Sequence, residues 1–284
     1  MYHSPLLLQY GNVVNTQAVL NQNKIAWWLS LPNTSGGKYF YDLFELNNGT
    51  LTNIPSGSYG WVSSSRLSAF SNVRLSGNGD YVSIADSAIF KFGTENFSIA
   101  GWFNLETLNN TNSNGRQTVI SRYESASSKG FSIDINTNGA IIFKLQQSSA
   151  SGSEFSSSNS IIAANTWYHF VAVRQGINSY LYVNGKLVAS GTSAIVLEIS
   201  SGSQDVLLGE MITNASTHQY LQGYIDDISI YNIALGTNSP QRIYEESRSD
   251  YPTTLNRFSL GRAFPLASPW LYYTMLQNAY GVAL

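Results

Sequence analysis

The chain of 284 residues has no cysteine, three histidines and only 11% charged residues, against roughly 25% in an average globular protein. The missing cysteine excludes disulfide scaffolds, thiolate-held zinc, iron–sulfur clusters and thiol chemistry. Fifteen basic residues stand against 17 acidic ones, a net charge of -2, so the basic field needed for a nucleic-acid partner is absent. No apolar run approaches the roughly 20 residues of a membrane span, and none is expected. Residues 1–10 lack a basic start, their apolar run stops at Leu6–Leu8, and no small-residue cleavage site follows. They are therefore not expected to be a secretory signal. The sequons at Asn33, Asn48, Asn96, Asn109 and Asn214 are read as by-products of a composition rich in Ser, Thr and Asn.

Apolar residues are plentiful at 43%, with 18 Tyr, 13 Phe and 6 Trp, enough for a large core. Asn-Gly pairs at 48–49, 78–79, 114–115, 138–139 and 184–185 punctuate the chain. They are strong hairpin signals because both residues tolerate positive φ. Between them lie runs with period-two alternation. In 97–105 one face carries Phe97, Ile99, Phe103 and Leu105, and the other Ser98, Ala100, Trp102 and Asn104. Strands are expected at 25–29, 81–84, 118–122, 131–136, 140–146, 167–174, 180–183, 186–190, 206–208 and 221–231. Ser239-Pro240 reads as a cap and first helical position for one short helix over 241–247. The serine-rich stretches 63–65, 125–128 and 148–160 read as solvated loops. The fold expected is all-β, an antiparallel two-sheet sandwich, with Phe97, Ile99, Phe103, Val171, Val173 and Ile228 in its core.

Five segments resemble one known pattern. Ile25-Ala-Trp-Trp-Leu29 with Asn48-Gly-Thr-Leu-Thr52 is similar to the opening of LamG-like jelly-roll domains, in the concanavalin A-like (laminin G and pentraxin) superfamily. Gly77-Asn-Gly-Asp-Tyr-Val-Ser-Ile84 resembles the family's strand entry, and Phe97-Ser-Ile-Ala-Gly-Trp-Phe103 its Phe-Ser-x-x-x-Trp-Phe strand. Trp167-Tyr-His-Phe-Val-Ala-Val173 followed by Leu181-Tyr-Val-Asn-Gly185 is similar to its Trp-x-His-Val-Ala hairpin. Gly223-Tyr-Ile-Asp-Asp-Ile-Ser-Ile-Tyr-Asn-Ile-Ala-Leu235 resembles its closing strand. The resemblance implies a jelly-roll domain over 24–248; outside it lie an N-terminal arm over 1–23 and an extension over 249–284 whose aromatic, charge-poor composition reads as a docking segment. It also implies calcium as a possible ligand, with Asp80, Asp226 and Asp227 at the matching positions. Asp226 and Asp227 are adjacent on an alternating strand, so their side chains are expected on opposite faces. Trp102, Trp167 and Tyr231 are expected to pack on the sheets, and His169 to be a satisfied sheet residue.

Sandwiches of this kind also serve glycoside hydrolases, which retain configuration with two carboxylates roughly 5 Å apart. Residues 131–136 carry only Asp134, and no Gly-x-Ser-x-Gly, His-Glu-x-x-His or P-loop occurs. The chain is therefore not expected to be an enzyme. Two non-catalytic readings follow. One is a structural component of a phage virion, displayed at the virion surface, oligomeric and docked on assembly partners. Its basis is the aromatic, charge-poor 251–284 segment, with Phe264, Trp270, Tyr272 and Tyr273 as anchors and Arg262 as polar partner. The other is a lectin-like module of an extracellular or cell-surface protein, with Tyr59, Trp61, Tyr220 and Tyr224 as the aromatic platform for a glycan.

Overall fold

The computed structural model describes residues 23–30, 37–44, 46–54, 60–63, 66, 71–200, 202–214 and 216–248. Among these the strands are β1 (Lys24–Trp28), β2 (Tyr39–Phe40), β3 (Gly49–Thr52), β4 (Gly60–Ser63), β5 (Ser71–Ser76), β6 (Tyr81–Ile84), β7 (Phe97–Leu105), β8 (Arg116–Glu124) and β9 (Lys129–Asn136). They continue as β10 (Ile141–Ser148), β11 (Ser151–Ser156), β12 (Tyr168–Gln175), β13 (Asn178–Val183), β14 (Lys186–Thr192), β15 (Val206–Leu208), β16 (Glu210–Asn214), β17 (Thr217–Tyr220) and β18 (Gln222–Tyr231). One α-helix, α1 (Ser239–Ser247), follows.

The strands form two large antiparallel sheets, a sandwich of the expected class. The first runs β14-β13-β12-β7-β18-β5-β4, with β1 also paired to β18; the second runs β11-β10-β9-β8-β15-β6-β3-β2. The alternation read in 97–105 sets the inner face of β7: Phe97, Ile99 and Phe103 enter the core with Phe131, Ile133, Phe143, Ile225 and Ile228. Phe92 stacks on Phe97 at 4.3 Å, and Phe97 meets Phe131 at 5.3 Å. Each such side chain contributes about 1.5–3 kcal/mol by leaving water. Val171 and Val173 are buried but not in this core. They lie in a second layer with Ala100, Tyr182, Tyr231 and Leu235, joined by Ile243 of α1. The helix thus gives the first sheet an apolar outer face as well as an inner one.

Three expectations change. The serine-rich 148–160 stretch contains β11, a strand along the edge of β10 whose Phe155 packs on the core. Asn48-Gly49 is not a hairpin turn, since Gly49 already opens β3 opposite Phe40. Ser239 does not cap α1: it lies in the helix, Asn238 precedes it in helical backbone, and neither side chain closes the first turn. By contrast, Asn184 and Gly185 both take positive φ and turn β13 into β14, as their sequence requires.

Asp226 and Asp227 also depart from simple alternation. Asp227 has φ +54, and the β18–β7 register shifts between Asp226 and Ser229. Ile225, Ile228 and Ile230 all reach the core, so this bulge places both aspartates between inward-facing isoleucines. Neither points into the core: Asp226 pairs with Arg66, which lies 4.7 Å over Trp102, and Asp227 accepts from Trp27 Nε1 at 2.7 Å. The expected opposition of the two side chains is overturned by that one extra residue. Before the bulge β18 pairs with β5 (Gln222–Ile225), and after it with β1 (Ile228–Tyr231).

Candidate functional site

The three carboxylates considered for calcium do not converge. Asp80 accepts from the Ser76 amide and hydroxyl, each at 2.6 Å, and so closes the turn around Gly77–Gly79. Ser76 lies opposite Gln222, four residues before Asp226, about 13 Å away along the strand. Asp226 is held by Arg66 and the Ser30 amide, and Asp227 by Trp27. Among the described residues no group of three His, Asp or Glu side chains could hold a metal ion. Calcium wants six to eight oxygens, and this set does not fit it.

The aromatic candidates separate in the same way. Tyr59 lies outside the described residues, as do Arg262, Phe264, Trp270, Tyr272 and Tyr273. Trp61 donates from Nε1 to the Gly37 carbonyl at 2.8 Å and meets Phe40 edge-on at 5.4 Å, so it closes one margin of the core. Tyr224 sits on the outer face of the first sheet between Arg74 at 5.7 Å and Trp167 at 6.1 Å. Arg66 covers Trp167 at 5.8 Å in turn, and Arg74 is bonded to Glu106 at 2.6 Å. The ring faces of this ladder are turned to cations and to one another. Further along, Trp102 lies 5.2 Å from His169, Tyr244 lies 6.0 Å from the same imidazole, and the Trp102 indole bonds Ser247 Oγ at 2.9 Å. This ladder fastens α1 to the sheet.

Tyr220 has a different setting. The β16–β17 hairpin folds over the outer face of β8: Ser121 Oγ donates to the Glu210 carbonyl at 2.7 Å, and Gln219 meets Thr118 at 3.2 Å. Met211 and Gln219 are buried on the side facing β8. Alternation then places Glu210, Ile212, His218 and Tyr220 together on the other side, with Glu210 opposite Tyr220 and Ile212 opposite His218. The carbonyl of Tyr220 is held by Ser113 and, at 3.1 Å, by Asn110, which fixes the backbone under the ring. His218 stacks on Tyr220 at 5.2 Å with 6° between the planes, and its Nδ1 lies 2.7 Å from Glu210 Oε1.

Glu210 is only 2% exposed, and the Tyr220 hydroxyl shares its carboxylate with His218. Burial pushes its carboxyl above the ordinary range, against the opposing pull of His218. Tyr81, half-buried at the start of β6, feels the same carboxylate: burial raises its phenol, and the charges of Glu210 and Asp205 raise it further. Burial and the Glu210 charge act on Tyr220 in the same direction. Tyr81, Glu210, His218 and Tyr220 therefore form the candidate site. Sequence reasoning found only Tyr220. The other three are brought to it by hairpin and sheet register, for which no Asn-Gly pair gives a signal.

The raised carboxyl makes the hairpin pH-sensitive. The folded chain holds the Glu210 proton more tightly than the unfolded chain, whose value is near 4.5. Its contribution thus favours folding at pH below 4.5 and is lost as pH rises through the folded value. Glu210→Gln should therefore raise the thermal midpoint at pH 8 relative to wild type, with the difference shrinking toward pH 4. Calorimetry across that range checks it, and a variant less stable at pH 8 would refute it.

A family model described as the concanavalin A-like lectin/glucanases superfamily matches residues 76–239. No curated protein matches the chain. Among solved structures, the chain is similar to the binding domain of Paraclostridial Mosquitocidal Protein 1, at TM-score 0.59 and 18% identity over 79% of this chain and 52% of the other. It is also similar to the binding domain of botulinum neurotoxin serotype D, solved with N-acetylneuraminic acid, at TM-score 0.56 and 18% identity over 81% and 53%. A third is botulinum neurotoxin type C, whose cell entry is described as dependent on two ganglioside molecules, at TM-score 0.57 and 20% identity over 81% and 52%. At such identities the likeness is one of fold, and the chain spans about half the length of these structures.

Proposed function

From the premise that this chain belongs to the concanavalin A-like lectin/glucanase superfamily, we propose that it is a non-catalytic, glycan-binding module whose site is the outer face of the β16–β17 hairpin. The observation that carries the reading is the Tyr220–His218 stack, held in place through the buried Glu210 carboxylate that both side chains bond. A pyranose offers an apolar face to an aromatic ring and hydroxyls at its rim. The ring would lie against the Tyr220–His218 stack, and its hydroxyls would meet the phenols of Tyr81 and Tyr220 at the rim. The sialic acid and ganglioside described for the similar structures belong to those proteins, and they lend the reading only a common fold.

The carboxylates favour binding over hydrolysis. Asp134 is fully buried and held by Thr118 and Ser132 hydroxyls at 2.7 Å each, Asp226 is paired with Arg66, and Asp42 is ringed by the amides of Trp27, Phe44 and Asn47. Each of these three carboxylates is engaged in holding the fold, and none of them is free to serve as the second group that glycoside hydrolysis requires. An array of neutral and acidic oligosaccharides, probed with the full chain, tests the reading. Tyr220→Ala should weaken the best glycan about tenfold or more, as loss of an aromatic anchor does. No glycan bound, or a variant equal to wild type, would refute it. A virion component carrying such a module remains the finer reading, supported by the aromatic 251–284 segment. Copurification of the chain with particles from its source tests that; its absence from particles would end it.

A further inference from the structure

We infer that the glycan taken at the hairpin carries no acidic sugar in the bound position, so that a terminal sialic acid acts against binding. The inference rests on the glycan-binding reading of the Tyr220 site and adds the charge of its ligand. Two carboxylates, Glu210 and Asp205, act on Tyr81, and Glu210 acts on Tyr220, with the imidazole of His218 the basic group beside them. His218 is already committed, its Nδ1 lying 2.7 Å from Glu210. Asp205 is exposed at the same margin, holding the Ser83 hydroxyl at 2.7 Å and the Asp86 amide at 3.0 Å. The arginines that could receive a sugar carboxylate serve carboxylates elsewhere: Arg74 bonds Glu106, Arg66 bonds Asp226 and Arg116 bonds Glu154. A ligand carboxylate would thus enter a field of its own sign, and among the described residues these three arginines are engaged with other carboxylates. Like charges placed face to face are strongly disfavoured across an interface.

The experiment uses the full chain and two pairs of oligosaccharides, lactose with 3′-sialyllactose and N-acetyllactosamine with its sialylated form. Binding is measured by calorimetry or by ligand-observed resonance at low and at physiological salt. At low salt each neutral member should bind about tenfold more tightly than its sialylated partner. The gap should narrow as salt screens exposed Asp205, and Asp205→Asn should narrow it while leaving the neutral sugar's affinity unchanged. Equal or tighter binding of the sialylated members at low salt overturns the inference and leaves the glycan reading standing. If a neutral oligosaccharide binds but Tyr220→Ala leaves its affinity intact, the site lies elsewhere and the inference falls. If neither these pairs nor the array yields a bound glycan, the reading fails and the inference with it.

Discussion

Asp226→Ala should cost the fold about 3–5 kcal/mol, the usual penalty for stripping one partner from a buried ion pair. The Asp226 carboxylate is fully buried, and the Arg66 side chain is only 3% exposed. Without the aspartate, Arg66 keeps the Ser247 carbonyl at 2.8 Å and the Trp102 face at 4.7 Å, neither of which carries a full negative charge. The Ser30 amide loses its acceptor as well. For a domain of this size each kcal/mol moves the midpoint by about 2–4 °C, so a fall of roughly 10 °C is expected. The double variant Arg66→Met/Asp226→Leu should recover much of the loss, because apolar groups of similar size need no counter-charge. A single variant within about 1 kcal/mol of wild type would show that water reaches this pair.

Gly223→Ala should be more severe. Gly223 has φ +152, and an added Cβ would stand 2.1 Å from the Asn104 carbonyl oxygen and 2.9 Å from Leu105 Cα. Both obstacles are backbone of β7, paired with β18 at this step. The substitution must therefore force β7 and β18 apart in the middle of the first sheet, and a loss of at least about 4 kcal/mol is expected. Gly115→Ala is the control: its φ is +76, but nothing lies within 4 Å of the added carbon, so only backbone strain of about 1 kcal/mol applies. Urea midpoints of the two variants separate crowding from strain. Equal losses would refute the crowding account.

The fold was legible where one residue of sequence meant one step of alternation. β7 is such a strand, and its inward and outward sets in 97–105 are those the pattern predicts. β18 was legible as a strand but not as a bulged one, because two consecutive aspartates look the same whether alternation holds or breaks. β11 was invisible because Ser151–Ser156 contributes one large apolar side chain, Phe155; the strand is specified by pairing with β10, not by its own composition. The candidate site was legible only as an isolated tyrosine. Glu210 and His218 reach Tyr220 through the register of a hairpin turning at 214–216, where the Asn214 side chain accepts from the Ser216 amide. Such a turn carries a weaker signature than Asn-Gly.

The change of partner along β18 also has a bearing on the order in which the chain can be assembled. Among the described residues the ladder of β1 is with Ile228–Tyr231, beside a single bridge from Trp28 to Asp42, and Trp27 and Ser30 reach across 200 and 196 positions for Asp227 and Asp226. A ribosome delivers β1 about 200 residues before that neighbour. During synthesis Trp27 and Trp28 can meet Asp42 and Asn47 early, but their sheet ladder must wait until β18 has been made. Contacts of such separation slow folding, since the loop must close before the pairing is gained. Of the described strands, the one made first is among the last whose ladder can be completed.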